Sequence, residues 1–579
     1  MRNRLIMSML RRGAVLAGAT LLVSILPSVA PAQAADVPAE FGTDWHDPLT
    51  AAPPVPKPDA ESCEVTLAEA RFRDFTPYRG TYTPPDGCGD RWSKVVLRLD
   101  GKVKGRQYDR LGHLQVGGVE IFRTSTPQPS PDGITWSVEK DVTRYSDTLR
   151  RAQDVEMLIG NVVDDTYTGV IDVKVTLTFY RATPTTPAPP DTPDRVLTLT
   201  EEPPTADGST PTKGPTLTTP RNTERVVAEV YATGSGGGCE EYWYLTVPSS
   251  APYSCQADDG PYREVQLRVD GRLAGIATPF PTVWTGGWSN PFLWYVVPGP
   301  RAFDIKPIAY DLTPFAGLLN DGRPHRIEVS VAGLPEGRPG WSTPVNVLVW
   351  QDEKRTHVPG GLTVHREGAP ANSSVYTPGP ENDGHRADTE AAHRLTVSGY
   401  VDTSHGRVAT TVSRSLAHTS AHRWTDGETT DALDAQWTDH ETVTVDGRGP
   451  ARTTRAHRTY TMAGTTTLGA ADRLRTVLTL GDRATSVTTQ HGPTHDGSPQ
   501  DDRRIAWSRL DDTYTGDATY TVNVPRDQRH AVATTSERYR LYGSPAGPAG
   551  PAGPADPSTC YDRTLTTVQG VLTEDRRRC

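Results

Sequence analysis

Cysteine, methionine and phenylalanine are scarce in this 579-residue chain, at six, five and nine residues, and no apolar run beyond the N-terminal segment is long enough to cross a bilayer. No two cysteines are spaced as in a zinc knuckle or a redox CxxC pair. The net charge of −10 is modest for this length, and its charges are interspersed without a basic stripe, which argues against nucleic acid as a partner. Nucleophile-elbow, zincin, P-loop and dinucleotide signatures are also absent. The glycine run from Gly234 to Gly238 leads into carboxylates and aromatics instead of Lys-Ser, so phosphate binding is the weaker reading there. His418 and His422 stand four apart in a Thr-rich strand segment and read as a solvated face before they read as a metal pair.

Glycine (52) and proline (51) are abundant, and Thr-rich alternating segments fill much of the remainder. That mixture suits short strands joined by turns. At the N-terminus, Arg2, Arg4, Arg11 and Arg12 precede an apolar stretch from Gly13 to Leu26 and a small-residue site, Ala32-Gln-Ala34. This is the order of an export signal, with cleavage expected after Ala34 and a soluble, secreted product. In an oxidising compartment the six cysteines read as local disulfides, Cys63 with Cys88, Cys239 with Cys255 and Cys560 with Cys579, out of fifteen possible pairings.

Composition divides the chain further. We expect a signal peptide over 1–34, a Pro/Ala-rich linker over 35–58, a first β-sandwich over 59–182, and a Pro/Thr linker over 183–215. A second sandwich follows over 216–365, then a linker over 366–390, a C-terminal β domain over 391–543, and a Pro-Ala-Gly spacer with a disulfide-closed tail over 544–579. The sandwiches look like repeats: Lys94–Gly105 aligns without gaps on Glu264–Gly275, and at the same shift of 170 Asp141-Val-Thr falls on Asp311-Leu-Thr. In each, alternating apolar residues (Val95, Leu97, Leu99; Val265, Leu267, Val269) suit a half-buried strand, Asp-Gly is expected to turn a hairpin, and Asp-x-Thr to cap a short helix. The hexapeptide Asp-Asp-Thr-Tyr-Thr-Gly occurs at 164–169 and at 511–516 and reads as turn chemistry in both places.

Two acidic clusters carry aromatic or cationic company. Asp109 lies between Tyr108 and Arg110, with Glu120 in the following Val116-Gly-Gly-Val-Glu-Ile121; Glu241 adjoins Tyr242 and Trp243. Ring faces stack on pyranoses and carboxylates hold hydroxyls or move protons, so the combination suits a sugar site, with surface ion pairing as the plainer alternative.

The ordered set Tyr82-Thr-Pro-Pro85, Gly105-Arg-Gln-Tyr-Asp-Arg110, Val116–Ile121, Trp136–Tyr145, Gly160-Asn161, Tyr167-Thr-Gly-Val170, Glu241-Tyr-Trp-Tyr244, Arg263-Glu-Val265 and Thr285-Gly-Gly287 resembles the plant-type peptide N-glycanase A family. The flavobacterial peptide N-glycanase is a more distant resemblance: Tyr108-Asp109-Arg110 and Gly238-Cys-Glu-Glu-Tyr242 are similar to its two acidic motifs, although Cys239 is not general in the plant-type family. The resemblance implies an all-β fold of two tandem jelly-roll-like antiparallel sandwiches. It also implies amidase activity on the N-acetylglucosaminyl-asparagine bond of N-glycopeptides or glycoproteins, without cofactor or metal, in a monomer. Asp109 would be the base, Arg110 its orienting partner, Glu241 a holder of water or core sugar, and Glu120 a further acid on the same wall. Tyr108, Tyr242, Trp243 and Trp136 would be the substrate-binding aromatics. An endo-glycosidase cutting the core chitobiose and a non-catalytic glycan-binding protein are the alternatives.

Overall fold

The computed structural model describes residues 36–199, 216–236, 238–285, 290–338, 340–379, 384–491, 502–544 and 560–579. The expected signal peptide, the centre of the Pro-Ala-Gly spacer and parts of the three expected linkers lie outside them. Residues 37–579 form one compact unit.

Eight strands build the first sandwich: β1 (Ser62–Phe72), β2 (Tyr78–Tyr82), β3 (Trp92–Val103), β4 (Leu111–Val116), β5 (Val119–Ser125), β6 (Ile134–Asp141), β7 (Gln153–Ile159) and β8 (Ile171–Arg181). They pair as β1-β8-β3-β6 and β2-β7-β4-β5. The second sandwich uses β9 (Arg195–Thr198), β10 (Thr216–Leu217), β11 (Thr223–Val230), a short β12 (Thr233–Gly234), β13 (Glu264–Val269), β14 (Arg272–Ala277), β15 (Ile308–Asp311), β16 (His325–Ala332), a short β17 (Trp341–Ser342) and β18 (Val345–Gln351). Its sheets run β9-β18-β11-β15 and β10-β16-β13-β14, with β12 paired to β17. Leaving out that short pair, the two orders are identical position by position and are those of a jelly roll. Strand β9 opens the second sandwich, so the expected Pro/Thr linker contains a structural strand.

The repeat is therefore real, but half of its sequence signal misleads. Asp141 and Asp311 are equivalent: each accepts a hydrogen bond from the backbone of the threonine two residues on, at 2.9 and 3.0 Å, and starts a 3-10 turn leading into α1 (Ser146–Leu149) or α2 (Ala316–Leu319). Those turns dock on β3 and β11, where Val142 and Leu312 donate to the carbonyls of Val95 and Val226, both at 2.9 Å. The partner of β3 is thus β11, and the match of Lys94–Gly105 to Glu264–Gly275 joins strands from different positions in the roll. Asp270 and Gly271 take positive φ (50° and 78°) and close the β13–β14 hairpin as expected. Asp100-Gly101 does not turn. There β3 runs on, with Gly101 opposite Trp136, and a Cβ on that glycine would fall 2.3 Å from the indole. The glycine serves close packing, not a bend.

The remaining strands are β19 (Gly360–Glu367), β20 (Ala371–Pro378), β21 (His385–Thr403), β22 (Gly406–Trp424), β23 (Thr430–Asp446), β24 (Arg452–Leu468), β25 (Arg473–His491), β26 (Asp502–Thr521), β27 (Val532–Gly543), β28 (Cys560–Val568) and β29 (Val571–Arg577). They form one 11-stranded antiparallel sheet, a meander to which β20 adds at β21. Strands β19 and β20 occupy much of the expected 366–390 linker, and the disulfide-closed tail is itself the last hairpin. This sheet buries alternate residues of one face and has no core of its own. Leu395, Val397 and Leu416 complete the second sandwich's core, while Trp424, Trp437, Met462 and Tyr514 join the core of the first sandwich and the loops of the second. Alternation explains two further departures. His418 is buried, stacked on Trp437 at 4.9 Å, and burial pushes its pKa down to about 4; His422 is buried against Tyr253 and bonds Asp431 at 2.5 Å. The hexapeptide forms a turn at 164–169, where the Asp164 carboxylate accepts from the Thr166 and Tyr167 amides at 2.7 Å, but at 511–516 it lies inside β26.

The expected N-terminal linker is a strap. Trp45 stacks on Tyr295 at 4.2 Å, Phe41 packs edge-on to Phe292 at 5.0 Å, and Phe41 bridges Ala531 of the sheet. Where the strap crosses the sheet, the Ala51 amide donates to Glu537 at 2.8 Å. Buried Asp512 and Asp482 share this region with Arg301 of the second sandwich, which bonds Asp482 at 2.6 Å. Burial raises the Glu537 carboxyl from 4.5 to about 7, against the Ala51 amide and Arg563. Asp512 is raised well above the usual range by burial and by Glu537 and Asp482, with Arg301 opposing. A carboxyl whose pKa is raised in the folded state holds a proton that the unfolded chain has released, so stability is lost as pH climbs from about 4.5 to about 7. For Glu537 that loss is about 3 kcal/mol. The thermal midpoint is expected to fall between pH 5 and pH 8, and Glu537→Gln to make that fall shallower, with buried Asp512 supplying the rest; an unchanged slope in that variant would refute the assignment.

Candidate active site

Asp109 sits in the β3–β4 connection of the first sandwich, and the family-like motif around it is built from the inside out. Gln107 is buried and its amide donates to the carbonyls of Val162 (2.9 Å) and Gly169 (3.2 Å). Its oxygen accepts from the Tyr108 amide (3.0 Å) and the Arg110 guanidinium (2.5 Å). Asn161, fully buried, donates to Phe72 and Gly169 and accepts from Arg110 at 3.3 Å. The Arg110 amide is held by Thr126 at 3.0 Å. Gln107, Arg110 and Asn161 thus lock the backbone on both sides of Asp109, while Tyr108 projects outward at 47% exposure. Burial lowers the proton affinity of Arg110, and Asp109, Tyr167 and Tyr108 oppose that shift, so all three lie within its field. Gln107 and Asn161 were legible as motif letters, but only their hydrogen bonds disclose what they do.

Glu241 comes from the connection between β11 and β13, the same place in the roll as the β3–β4 connection. Here Cys239–Leu245 forms a 3-10 turn. Its anchor is Glu240: both carboxylate oxygens receive Arg263 at 2.9 Å, and the Trp341 indole donates at 2.8 Å. Burial alone would raise the Glu240 carboxyl, but the hydrogen bonds and charge of Arg263, with Trp341 and Arg338, hold it below its ordinary value. The Cys239–Cys255 disulfide, with Cα atoms 5.4 Å apart, closes the base of the turn. The other two local pairs, Cys63–Cys88 and Cys560–Cys579, form as well.

The two loops meet at Tyr242. Its hydroxyl is pushed well above its ordinary value, first by burial, then by the charge of Glu241 and a hydrogen bond with it, and further by Asp109 and Tyr108. Two acids from corresponding loops of the two sandwiches therefore act on one phenol, together with Tyr108. The arrangement offers a base beside a second carboxylate in a half-buried, aromatic-walled setting, which suits proton transfer to and from a polar substrate.

Three residues expected at this site lie elsewhere. Glu120 is buried at 1% exposure, and both its carboxylate oxygens receive Arg123, at 2.6 and 3.0 Å. Arg123 also reaches Thr233 and Ser342, and Asn346 bonds the Glu120 backbone, so the pair fastens the two sandwiches together. Trp136 fills the space over Gly101 and is part of the core. Trp243 is buried among Tyr244, Trp341 and Trp437 and offers no open face for a sugar. Gly286 and Gly287 of the Thr285-Gly-Gly287 motif lie outside the described residues. Among the described residues, one group has metal-ligand character: Glu224, Asp352 and His405, with ligand atoms within 4.8 Å of one another. It lies at the far end of β11 from the Glu241 loop, and Ser404 and Lys354 already occupy Asp352. No helix among the described residues is long and apolar enough to cross a membrane.

Comparison with known proteins places these loops in context. Residues 52–367, over half of the chain, match the family described as peptide N-acetyl-beta-D-glucosaminyl asparaginase amidase A. Peptide-N4-(N-acetyl-beta-glucosaminyl)asparagine amidase A of Prunus dulcis is 30% identical over 383 residues, covering 62% of this chain and 66% of that protein. Among solved structures, recombinant peptide: N-glycanase F is similar at 12% identity and a TM-score of 0.33, covering 50% of this chain and 96% of that one. A structure of PNGF-II is similar at 14% identity and a TM-score of 0.34, covering 50% and 66%.

Proposed function

The chain belongs to the peptide N-acetyl-beta-D-glucosaminyl asparaginase amidase A family, and from that premise we propose that it hydrolyses the amide joining N-acetylglucosamine to asparagine in N-glycopeptides or glycoproteins. Aspartate is left in the peptide and the glycan departs as a glycosylamine, which then loses ammonia in water. The reading is carried by the family match over residues 52–367, and it is supported by the placement of Asp109 and Glu241 on corresponding loops of the two sandwiches, both in the field of the Tyr242 hydroxyl.

In this mechanism Asp109 takes a proton from water as the water oxygen bonds to the amide carbon. The carbon–nitrogen bond then breaks, and the nitrogen leaves with a proton returned to it. Arg110, braced by Gln107 and Asn161, fixes the loop and supplies positive charge near the developing oxyanion. Glu241 with Tyr242 holds the water or the first sugar. Tyr108 covers the reacting bond from the solvent side. We further propose that the protein acts outside the cell, where its three disulfides persist and glycopeptides are met as external substrates.

Digestion of a purified N-glycopeptide in heavy-oxygen water tests the reading. The expected product is a peptide whose former asparagine is an aspartate carrying one heavy oxygen. Asparagine retaining a single sugar would assign the protein to the endo-glycosidases, and an unchanged glycopeptide that still binds would leave a glycan-binding protein.

A further inference from the structure

One end of the first sandwich carries a row of exposed apolar side chains, of which the proposed chemistry uses only Tyr108. Phe75, in the β1–β2 connection, is 65% exposed, the most exposed large apolar side chain among the described residues. Val162, in the β7–β8 connection, is 39% exposed, and Tyr167 packs on Tyr108 with ring centroids 5.2 Å apart. A lone exposed apolar residue is ordinary, whereas several on one rigid mount mark a contact surface.

The mount is the buried pair that also fixes the Asp109 loop. The Asn161 amide donates to the Asp74 carbonyl at 3.2 Å, which ties the Phe75 segment to the Val162 segment. The Val162 carbonyl accepts from Gln107 at 2.9 Å, and Gln107 accepts from the Tyr108 amide at 3.0 Å. The Phe75 segment is held from its own side as well, since the Asp74 carboxylate accepts from the Thr76 amide at 2.7 Å. The Phe75 ring leans over Gly160, where an added Cβ would fall 2.7 Å from a ring carbon. It therefore lies over the neighbouring strand end, on the way to Asp109.

Strand order gives the row a direction. In the sheet β2-β7-β4-β5, Phe75 precedes β2, Gly160 follows β7, Asp109 precedes β4 and Thr126 follows β5. Gly160 donates to the Leu111 carbonyl at 3.3 Å and Thr126 to the Arg110 carbonyl at 2.9 Å, so the antiparallel rows continue past the strand ends. The second sandwich adjoins on the β5 side, where Ser125 donates to Ala302 at 2.8 Å and the Thr285 hydroxyl donates to Thr126. Asp109 thus lies between Phe75 and the second sandwich, the source of Glu241 and Tyr242. Two strand spacings, roughly 10 Å, separate the Phe75 and Asp109 segments.

We propose that Phe75 and Val162 form an apolar subsite for the peptide, one that takes the side chain two residues before the glycosylated asparagine. The subsite rests on the amidase reading for its substrate. With Glu241 and Tyr242 on the sugar side of the bond, the peptide runs out over the opposite side, along the row to Phe75. Side chains two apart in an extended peptide share a face and stand about 7 Å apart, so a leucine-sized side chain spans the remaining gap to the ring. The acceptor sequence Asn-x-Ser/Thr fixes a small hydroxyl residue two positions after the asparagine, which leaves the position two before it as the variable one on that face. Neither Phe75 nor Val162 has a side-chain donor or acceptor for a sugar hydroxyl, and both suit an aliphatic occupant.

The test uses the full chain and synthetic glycopeptides that share one neutral glycan. They carry Leu or Ser two residues before the asparagine, or Ser there with Leu immediately after the asparagine. Cleavage gives kcat/KM, and fluorescence anisotropy on the Asp109→Asn protein gives Kd. Leu two residues before the asparagine is expected to raise kcat/KM about tenfold over Ser, with the gain appearing in Kd. Phe75→Ser is expected to shrink that ratio to within about twofold, while cleavage of the Ser peptide and the thermal midpoint stay in place. Phe75→Leu is expected to keep most of the preference, because it keeps an apolar surface. Equal values for the Leu and Ser peptides with cleavage intact overturn the subsite and spare the amidase. A Phe75-dependent gain only from Leu after the asparagine overturns the position assigned. An equal loss for every peptide in Phe75→Ser, with weaker competition by the free glycan, puts sugar on the ring and overturns the peptide subsite. A Kd ratio that depends on Phe75, with no cleavage of any peptide, keeps the subsite and removes the amidase.

Discussion

Asp109→Asn is expected to cut kcat about a thousandfold while leaving the unfolding transition in place. A positioned base is worth roughly 10² to 10⁴ in rate, and an amide of the same shape cannot accept the proton. The fold is expected to tolerate the change because the loop is held by others: Gln107 binds Val162, Gly169, the Tyr108 amide and Arg110, and Asn161 spans Phe72 and Gly169. KM should move little, since the carboxylate acts on water. Full activity in a folded Asp109→Asn protein would sink the mechanism. Glu241→Gln provides the contrast, because a residue that holds sugar or water is expected to raise KM as well as lower kcat.

The sandwiches were legible because jelly-roll strands advertise themselves locally. Val95, Leu97 and Leu99 alternate as a half-buried strand must, and the Asp141 and Asp311 turns repeat the same capping chemistry on equivalent strands. Register between repeats was not legible. Lys94–Gly105 and Glu264–Gly275 agree because two buried strands that end in Asp-Gly look alike, and only Trp136 over Gly101 decides that one of them runs straight on. The C-terminal region could be read as β, but a sheet that borrows its core from its neighbours has the same alternation as one that owns it. His418 and His422 fell on the inward side of that alternation, which no local feature marks. In the candidate site, Asp109 and Glu241 were singled out by their motifs, whereas Trp136 and Trp243 carry the composition of a sugar platform and the burial of a core.

The adjacent residues Glu240 and Glu241 should respond to mutation in opposite ways. Glu240→Ala is expected to cost about 3–5 kcal/mol, read as a lower denaturation midpoint, because it strands the buried Arg263 guanidinium and the Trp341 indole without their acceptor. The loss should extend to activity, since this carboxylate holds the turn from which Glu241 reaches Tyr242. Glu241, half-buried, is expected to affect catalysis with little change in stability. Arg263→Ala should also be damaging, since it leaves Glu240 with only Trp341 and Arg338, and the double variant less damaging than the sum of the two, because each single change leaves a buried charge without its main partner and the double change removes both. Simple additivity in that cycle would mean that the pair does not act as a unit, and the anchor for the Glu241 loop would then have to be sought in the Cys239–Cys255 disulfide.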